Sequence, residues 1–265
     1  MVWVSLYWPL KHADWHGLTP TDLIFPFFIF IVGMSITLSV NAMLTKGVTK
    51  QSILRSGVVR TVKLVALGWF LALFYYNFRD PNFSWLDERL AGIRIMGVLQ
   101  RIGLVYLIAL ACYLYIKPKY IALTFVSLLI GYGALMLYTP YSLPNGEIVK
   151  GLWLHGNNLS AWLDNLLLGA NHVYYATAKP LAFDPEGILS TLPAIATALS
   201  GILCRYYIST EKKPWQTSQN IYPSGYYKHC LRVLTFTFNT NKQSTMDTKL
   251  CNNQLRTSDV MLCTV

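Results

Sequence analysis

Residues 22–43 read DLIFPFFIFIVGMSITLSVNAM and carry one charged side chain, Asp22, at their first position. A helix of about 20 apolar residues is long enough to cross the hydrocarbon core of a bilayer. Four further segments have the same character, and they are residues 58–76, 95–116, 120–138 and 187–208. The sequence therefore predicts an all-α fold, a polytopic transmembrane helical bundle of about five membrane-spanning helices.

The overall composition agrees with a membrane protein. Of the 265 residues, 54% are hydrophobic and only 13% are charged, whereas soluble domains usually have about 25% charged residues. The lipid bilayer is therefore the main expected partner of this chain.

The net charge of +10 is distributed in a way that does not indicate nucleic acid as a partner. Lys46, Lys50 and Arg55 lie between the first two segments, and Lys117 and Lys119 lie between the third and fourth. The other loops are acidic or mixed. This alternation follows the positive-inside rule, so the basic loops are expected in the cytoplasm. The residues before the first helix and the 140–186 loop are then expected outside it.

The last part of the chain differs from the rest. Residues 209–265 are rich in Lys, Asn, Gln, Ser and Thr and contain no segment that could span a membrane. We expect a transmembrane domain over residues 1–208, followed by an atypical, irregular tail over residues 209–265 that is disordered or results from a frameshift.

Titratable side chains cluster just before the first helix. Residues 11–22 read KHADWHGLTPTD and contain two imidazoles, His12 and His16, and two carboxylates, Asp14 and Asp22. Ionisable groups beside hydrocarbon are costly, and they are found mainly where they serve a function. The sequence therefore predicts a functional site at this membrane surface, with His12 near its centre.

Three separate motifs resemble one known family. They are HADWHGLT at residues 12–19 with the following DLIFPFFIFIVG at 22–33, GVLQRIG at 97–103, and FDPEGIL at 183–189. These motifs, in this order, are similar to those of the heparan-α-glucosaminide N-acetyltransferase family, including its bacterial membrane relatives. A further LLLG at 166–169, followed by His172, also resembles the family.

The resemblance implies an integral membrane acyltransferase. Such an enzyme would transfer acetyl from acetyl-CoA, its co-substrate, to the amine of an amino sugar on the extracytoplasmic side. The same resemblance implies a location in the bacterial inner membrane. His12 would act as general base or as a transient acetyl acceptor, because imidazole titrates in the required range. The alternative is an interfacial histidine at the level of the lipid headgroups.

Other candidate residues keep alternative interpretations. Asp22 would be catalytic by orienting His12, or it caps the first helix. Asp14 and His16 would form a polar lip around the substrate, and no metal is expected. Gln100 and Arg101 are candidates for binding substrate or CoA, although Arg101 could instead extend to the membrane surface. Asp184 and Glu186 would bind the amino sugar, or they cap the fifth helix.

The chain also departs from the family pattern. The family has an earlier membrane helix with a Leu-Asp-x-x-Arg-Gly-type motif and several later helices, so we expect a copy that is truncated at both ends. A transporter or permease component for amino sugars is the alternative function, because broken helices and polar groups in the membrane also suit transport. An inactive remnant of either is the third possibility, and a homo-oligomer stays open.

Overall fold

The computed structural model describes residues 10–13, 15, 17–74 and 84–210. The chain divides into two compact units. The described residues up to Asp22 belong to the smaller unit, and those from Leu23 onward belong to the larger unit. Asp14, His16 and the predicted tail from residue 211 onward lie outside the described residues. The expectations for them, including the domain boundary near residue 209, stay predictions.

The larger unit is a bundle of α-helices joined by short turns and one long loop. Its helices are α1 Ile24–Thr45, α2 Lys50–Leu73, α3 Val98–Tyr115, α4 Pro118–Tyr138, α5 Leu159–Leu168 and α6 Thr191–Thr210. A 3-10 turn, Pro20–Leu23, precedes α1. The segments Pro20–Thr45, α2, α3 and α4 are each long and apolar enough to cross a membrane. The predicted fold class, an all-α helical membrane protein, is confirmed. Among the described residues four segments meet this criterion, against about five predicted, and α6 is not one of them.

Three helices begin three or more residues away from their predicted starts. The second helix begins at Lys50, because Thr49 caps it by accepting a hydrogen bond from the Ser52 amide at 3.3 Å. Helix α3 begins at Val98, so that Arg101 is its fourth residue and not six residues inside it. The fifth predicted segment is helical only from Thr191, because residues 187–190 form turns.

Helices α1 and α6 cross at a very short distance. A Cβ atom on Gly33 would lie 2.0 Å from the backbone oxygen of Ala198, and one on Gly201 would lie 2.2 Å from that of Phe30. Small residues allow membrane helices to approach this closely, where packing has to replace the hydrophobic effect. The core around this crossing is aliphatic and contains Ile29, Ile36, Val40, Leu199 and Ile202.

Helix α2 packs mainly along α3. The Thr61 hydroxyl donates a hydrogen bond of 3.0 Å to the backbone oxygen of Gly103, and Gly57 lies against Leu110. The opposite face of α2 and most of α4 expose apolar side chains, which a membrane protein directs toward lipid. These include Val62, Phe70, Leu71, Leu123 and Ile130.

The loop between α4 and α6 is folded. Strands β1 Tyr141–Ser142 and β2 Ile148–Val149 form one antiparallel hairpin, and β3 Trp153–Leu154 and β4 Asn157–Asn158 form another. Helix α5 follows directly, capped by the Asn158 side chain, which accepts from the Ala161 amide at 2.8 Å. Buried apolar side chains hold these pieces against the end of α4, and they include Met136, Tyr141, Leu159, Leu181 and Phe183.

Candidate functional site

The smaller unit holds a histidine–aspartate pair. His12 Nδ1 and Asp22 Oδ1 are 2.7 Å apart, and the His12 side chain is 76% exposed. Since Nδ1 faces the carboxylate, Nε2 is the ring nitrogen that can exchange a proton or accept an acyl group. A carboxylate in this position fixes the tautomer and orientation of a catalytic imidazole.

Asp22 is itself held by the start of the helical segment. Its Oδ2 atom accepts hydrogen bonds from the Thr19 amide at 2.8 Å, the Thr19 hydroxyl at 2.9 Å and the Ala13 amide at 3.3 Å. The bond from the Thr19 amide is the one that the acid of a capping box receives. Asp22 therefore contacts both His12 and the residue that precedes the 3-10 turn.

A second cluster of charges lies in the larger unit, around the turn at residues 184–190. The Arg94 guanidinium donates two hydrogen bonds to the Asp184 carboxylate. Nε donates to Oδ2 at 2.7 Å, and Nη2 donates to Oδ1 at 2.5 Å. The same guanidinium also forms an ion pair with Glu186. Arg94 was not predicted as a site residue, because in the sequence it is one basic residue in a loop of mixed charge.

The Asp184 carboxylate accepts two further hydrogen bonds besides those from Arg94. They come from the Tyr174 amide at 3.0 Å and the Glu186 amide at 2.9 Å, and the Asp184 side chain is completely buried. The prediction that Asp184 and Glu186 cap the fifth helix is wrong, because α6 begins only at Thr191. The two carboxylates instead anchor the turn to Arg94.

The environment of Arg94 favours its charged form. Burial alone would lower the pKa of Arg94, but the hydrogen bonds that Arg94 donates to Asp184 and the charges of Asp184 and Glu186 raise that pKa above its ordinary value. The guanidinium also lies 4.9 Å from the centre of the Tyr174 ring, a cation–π contact. Arg94 therefore stays a cation in this cluster.

Arg101 approaches the same turn from α3. Its Nη1 donates to the backbone oxygen of Pro185 at 3.3 Å and its Nη2 to the Ser190 hydroxyl at 2.5 Å. The residue is 7% exposed. The Arg101 guanidinium is therefore buried against the turn at residues 184–190.

Asp164 of α5 contacts the turn from a third side, and it was also missed among the candidate sites. Its Oδ1 accepts from the Ile188 amide at 2.9 Å, while Oδ2 is buried without a hydrogen-bond partner among the described residues. Burial raises the pKa of Asp164 to about 6, although the backbone N–H groups of Ile188 and Asp184 lower it. The available sequence signal was a lone acid in the apolar run LSAWLDNLLL.

Gln100, which was predicted as a binding residue, and the two loop histidines His155 and His172 have other contacts. The Gln100 amide is buried against α2, where a Cβ on Gly68 would lie 2.7 Å from it. His172 Nδ1 lies 2.8 Å from the backbone oxygen of Ile93, and the His155 ring packs on Tyr175 and Phe183. Among the residues that the structure describes, no three His, Cys, Asp or Glu side chains come together as a metal site.

Comparison with known proteins identifies relatives. No protein-family profile matches the chain. The heparan-alpha-glucosaminide N-acetyltransferases of Mus musculus and Homo sapiens are each 31% identical to it over 231 residues, which is 74% of this chain and 34% of either relative. The chain thus spans about a third of the length of the curated proteins that it matches. It is related to the heparan-alpha-glucosaminide N-acetyltransferase family.

Proposed function

We propose that the protein is an integral membrane acyltransferase, which transfers the acetyl group of acetyl-CoA to the amine of an amino sugar. The observation that carries this proposal is the 2.7 Å contact between His12 and Asp22, beside the first membrane-spanning segment. An N-acetyltransferase needs a base for its amine, and an imidazole oriented by a carboxylate is suited to that task. The names of the two relatives support the same reaction type.

In the proposed reaction, the amine nitrogen attacks the carbonyl carbon of the thioester. The C–N bond forms, the C–S bond breaks, and His12 Nε2 takes the proton that the amine releases. The CoA thiolate leaves and receives that proton from the imidazolium, so that free CoA and the N-acetyl sugar are the products. Asp22 stabilises the imidazolium through Nδ1.

The turn at residues 184–190 is the proposed binding element for the sugar. Glu186 is the carboxylate there that is partly exposed, at 18% of its side chain, and it would attract the ammonium form of the amino sugar. That ammonium group loses one proton to water before its nitrogen attacks the thioester. Asp184, with Arg94 and Arg101, holds the turn that presents it. Asp14 and His16, outside the described residues, stay proposed as further substrate contacts, and Gln100 is assigned to helix packing.

The location of the reaction is also proposed. The distribution of basic residues supports, by the positive-inside rule, an orientation with the basic loops in the cytoplasm and with the His12 region and the 140–186 loop outside. The bacterial inner membrane is the proposed membrane. Acetyl-CoA would then enter from the basic side, across roughly 30 Å of hydrocarbon. This geometry also admits a relay, in which the imidazole of His12 first accepts the acetyl group and then passes it to the amine.

The test is transfer of radiolabelled acetyl from acetyl-CoA to glucosamine by the purified full chain in lipid nanodiscs. We expect His12→Ala to lower the rate by about 10²- to 10⁴-fold and Asp22→Asn by about tenfold or more, because the imidazole loses its orientation. His155→Phe is the matched control, since it removes a histidine and keeps its ring contacts. Its rate should equal that of the unmodified chain.

Two further outcomes separate the mechanisms. Exchange of label between acetyl-CoA and CoA without sugar, abolished in His12→Ala, would indicate the relay rather than simple base catalysis. Equal rates for His12→Ala and the unmodified chain would refute the acyltransferase proposal. Sugar uptake into proteoliposomes that depends on His12, without acetylation, would instead support the transporter.

A further inference from the structure

A cavity of about 220 Å³ lies at one end of the larger unit, where α1, α3 and α6 end and α2 and α4 begin. We call this the basic end of the bundle. The lining of the cavity is mostly aliphatic, comes from five helices and contains one cation. It includes Val40, Leu114, Ile121, Ile202, Leu203 and Lys50. A cavity of this kind accommodates a hydrocarbon chain.

A second, polar cavity of about 200 Å³ adjoins the first. It is lined by Asn41 and Arg205, and it shares Tyr113 and Tyr206 with the apolar cavity. The Tyr113 hydroxyl donates to Asn41 Oδ1 at 2.9 Å, which fixes the ring between the two spaces. The pair of cavities therefore offers an apolar and a polar compartment side by side.

In the part of the chain that the structure describes, the charge at this end has one sign. Residues 23–74, 98–138 and 191–210, which form the five helices concerned, contain no Asp or Glu. Among the described residues, no carboxylate lies within ion-pair distance of Lys50 or Arg205. Both cations therefore favour an anion beside the cavities, and basic pockets between membrane helices are typical sites for anionic lipid headgroups.

We propose that these two cavities bind one anionic phospholipid. One acyl chain occupies the apolar cavity, and the phosphate of the headgroup lies against Arg205 in the polar one, with Lys50 at the edge of the apolar one. The apolar compartment is what favours a lipid over a soluble phosphate, because a free anion gains nothing from aliphatic walls. The exposed apolar faces of α2 and α4 place this site at the lipid. The proposal is independent of the acyltransferase assignment.

The test is native mass spectrometry of the purified full chain, with dioleoylphosphatidylglycerol or dioleoylphosphatidylcholine added in detergent. We expect one tightly retained phosphatidylglycerol. Arg205→Gln should weaken its binding about fivefold, whereas Arg205→Lys should keep most of it. Leu203→Trp should also weaken binding, because the ring fills the apolar cavity while the charge is unchanged. Circular dichroism checks that each variant is folded.

Arg55→Gln is the matched control, since Arg55 is exposed at the same end and lines neither cavity. If Arg55→Gln lost as much phosphatidylglycerol as Arg205→Gln, the proposal would be overturned, because the whole basic surface would then attract the lipid. Equal retention of the two lipids would overturn it as well. So would displacement of phosphatidylglycerol by CoA or inorganic phosphate, since the site would then serve a soluble anion.

Discussion

Asp164 and Gly187 are in such close contact that a Cβ atom on Gly187 would lie 1.9 Å from the Asp164 carboxylate. The turn after Asp184 therefore passes so close to α5 that a side chain at this position would have to displace the Asp164 carboxylate. The Ile188 amide, one residue further on, then reaches Asp164 Oδ1. This contact explains why the segment stays a turn before α6 begins at Thr191.

Gly187→Ala should therefore destabilise the protein by about 1–3 kcal/mol, the usual cost of overpacking a filled site. The measurement is thermal unfolding in detergent, followed by circular dichroism. Gly131→Ala is the control, because nothing lies within 4 Å of a Cβ added there on α4. If both variants unfold at the same temperature as the unmodified chain, the close contact does not exist in solution.

Asp164 should make stability depend on pH. Its pKa is about 6 in the folded protein against a model-compound value of 3.8, so the folded state binds this proton more tightly than the unfolded chain. The stabilising contribution is full below about pH 4 and is lost as pH rises through 6. The difference of about two pH units corresponds to about 3 kcal/mol.

Asp164→Asn tests this dependence, because asparagine keeps an acceptor for the Ile188 amide and does not ionise. Between pH 4 and 7, the unmodified chain should lose about 3 kcal/mol relative to this variant, measured by denaturant unfolding. Glu147→Gln, an exposed change in the same loop region, serves as the control. A constant difference between the two proteins at all pH values would contradict the predicted titration.

Arg94 and Asp184 should be strongly coupled. Arg94→Gln leaves a fully buried carboxylate without its ion-pair partner, and breaking such a pair costs about 3–5 kcal/mol. Arg94→Gln combined with Asp184→Asn should cost less than the sum of the two single changes, which a double-mutant cycle measures. Additive effects would mean that the ion pair does not hold the turn.

Hydropathy predicted the membrane helices well. The first predicted segment, residues 22–43, corresponds to α1 at Ile24–Thr45, because an uninterrupted apolar run leaves the backbone no alternative to a helix in lipid. The start of α2 was placed eight residues late. Residues 50–57 contain Lys50, Gln51 and Arg55, and a hydropathy criterion excludes a polar first turn even where a cap such as Thr49 starts the helix.

The turn before α6 was not predictable in the same way. Asp184 and Pro185 satisfy the local rules for a helix start, yet the backbone there is fixed by side chains far away in the sequence. Arg94 is 90 residues from Asp184, and Asp164 is 24 residues from Ile188. A single sequence contains no signal for such pairings, so Arg94 and Asp164 were missed while the residues of the turn itself were found.

The α1–α6 crossing should tolerate no side chain at Gly33. Gly33→Val would place Cβ within 2.0 Å of the Ala198 oxygen, and since backbone cannot move as a side chain does, the helices would have to separate. We expect loss of monodisperse protein in size-exclusion chromatography after detergent extraction. Gly133→Val puts the same residue on α4 in open space and should behave normally, whereas equal yields would mean that the helices do not cross here.

The last prediction concerns the orientation of the bundle in the membrane. The basic turn at Lys117 should face the cytoplasm and the hairpin tip at Asn145 the outside, because basic loops are retained on the cytoplasmic side. Lys117→Cys and Asn145→Cys, each in a background without the five native cysteines, can be treated with an impermeant maleimide. In intact cells, only the cysteine at position 145 should react, and both should react after permeabilisation. Labelling of position 117 but not 145 in intact cells would reverse the orientation, and the His12 region would then face the cytoplasm together with the supply of acetyl-CoA.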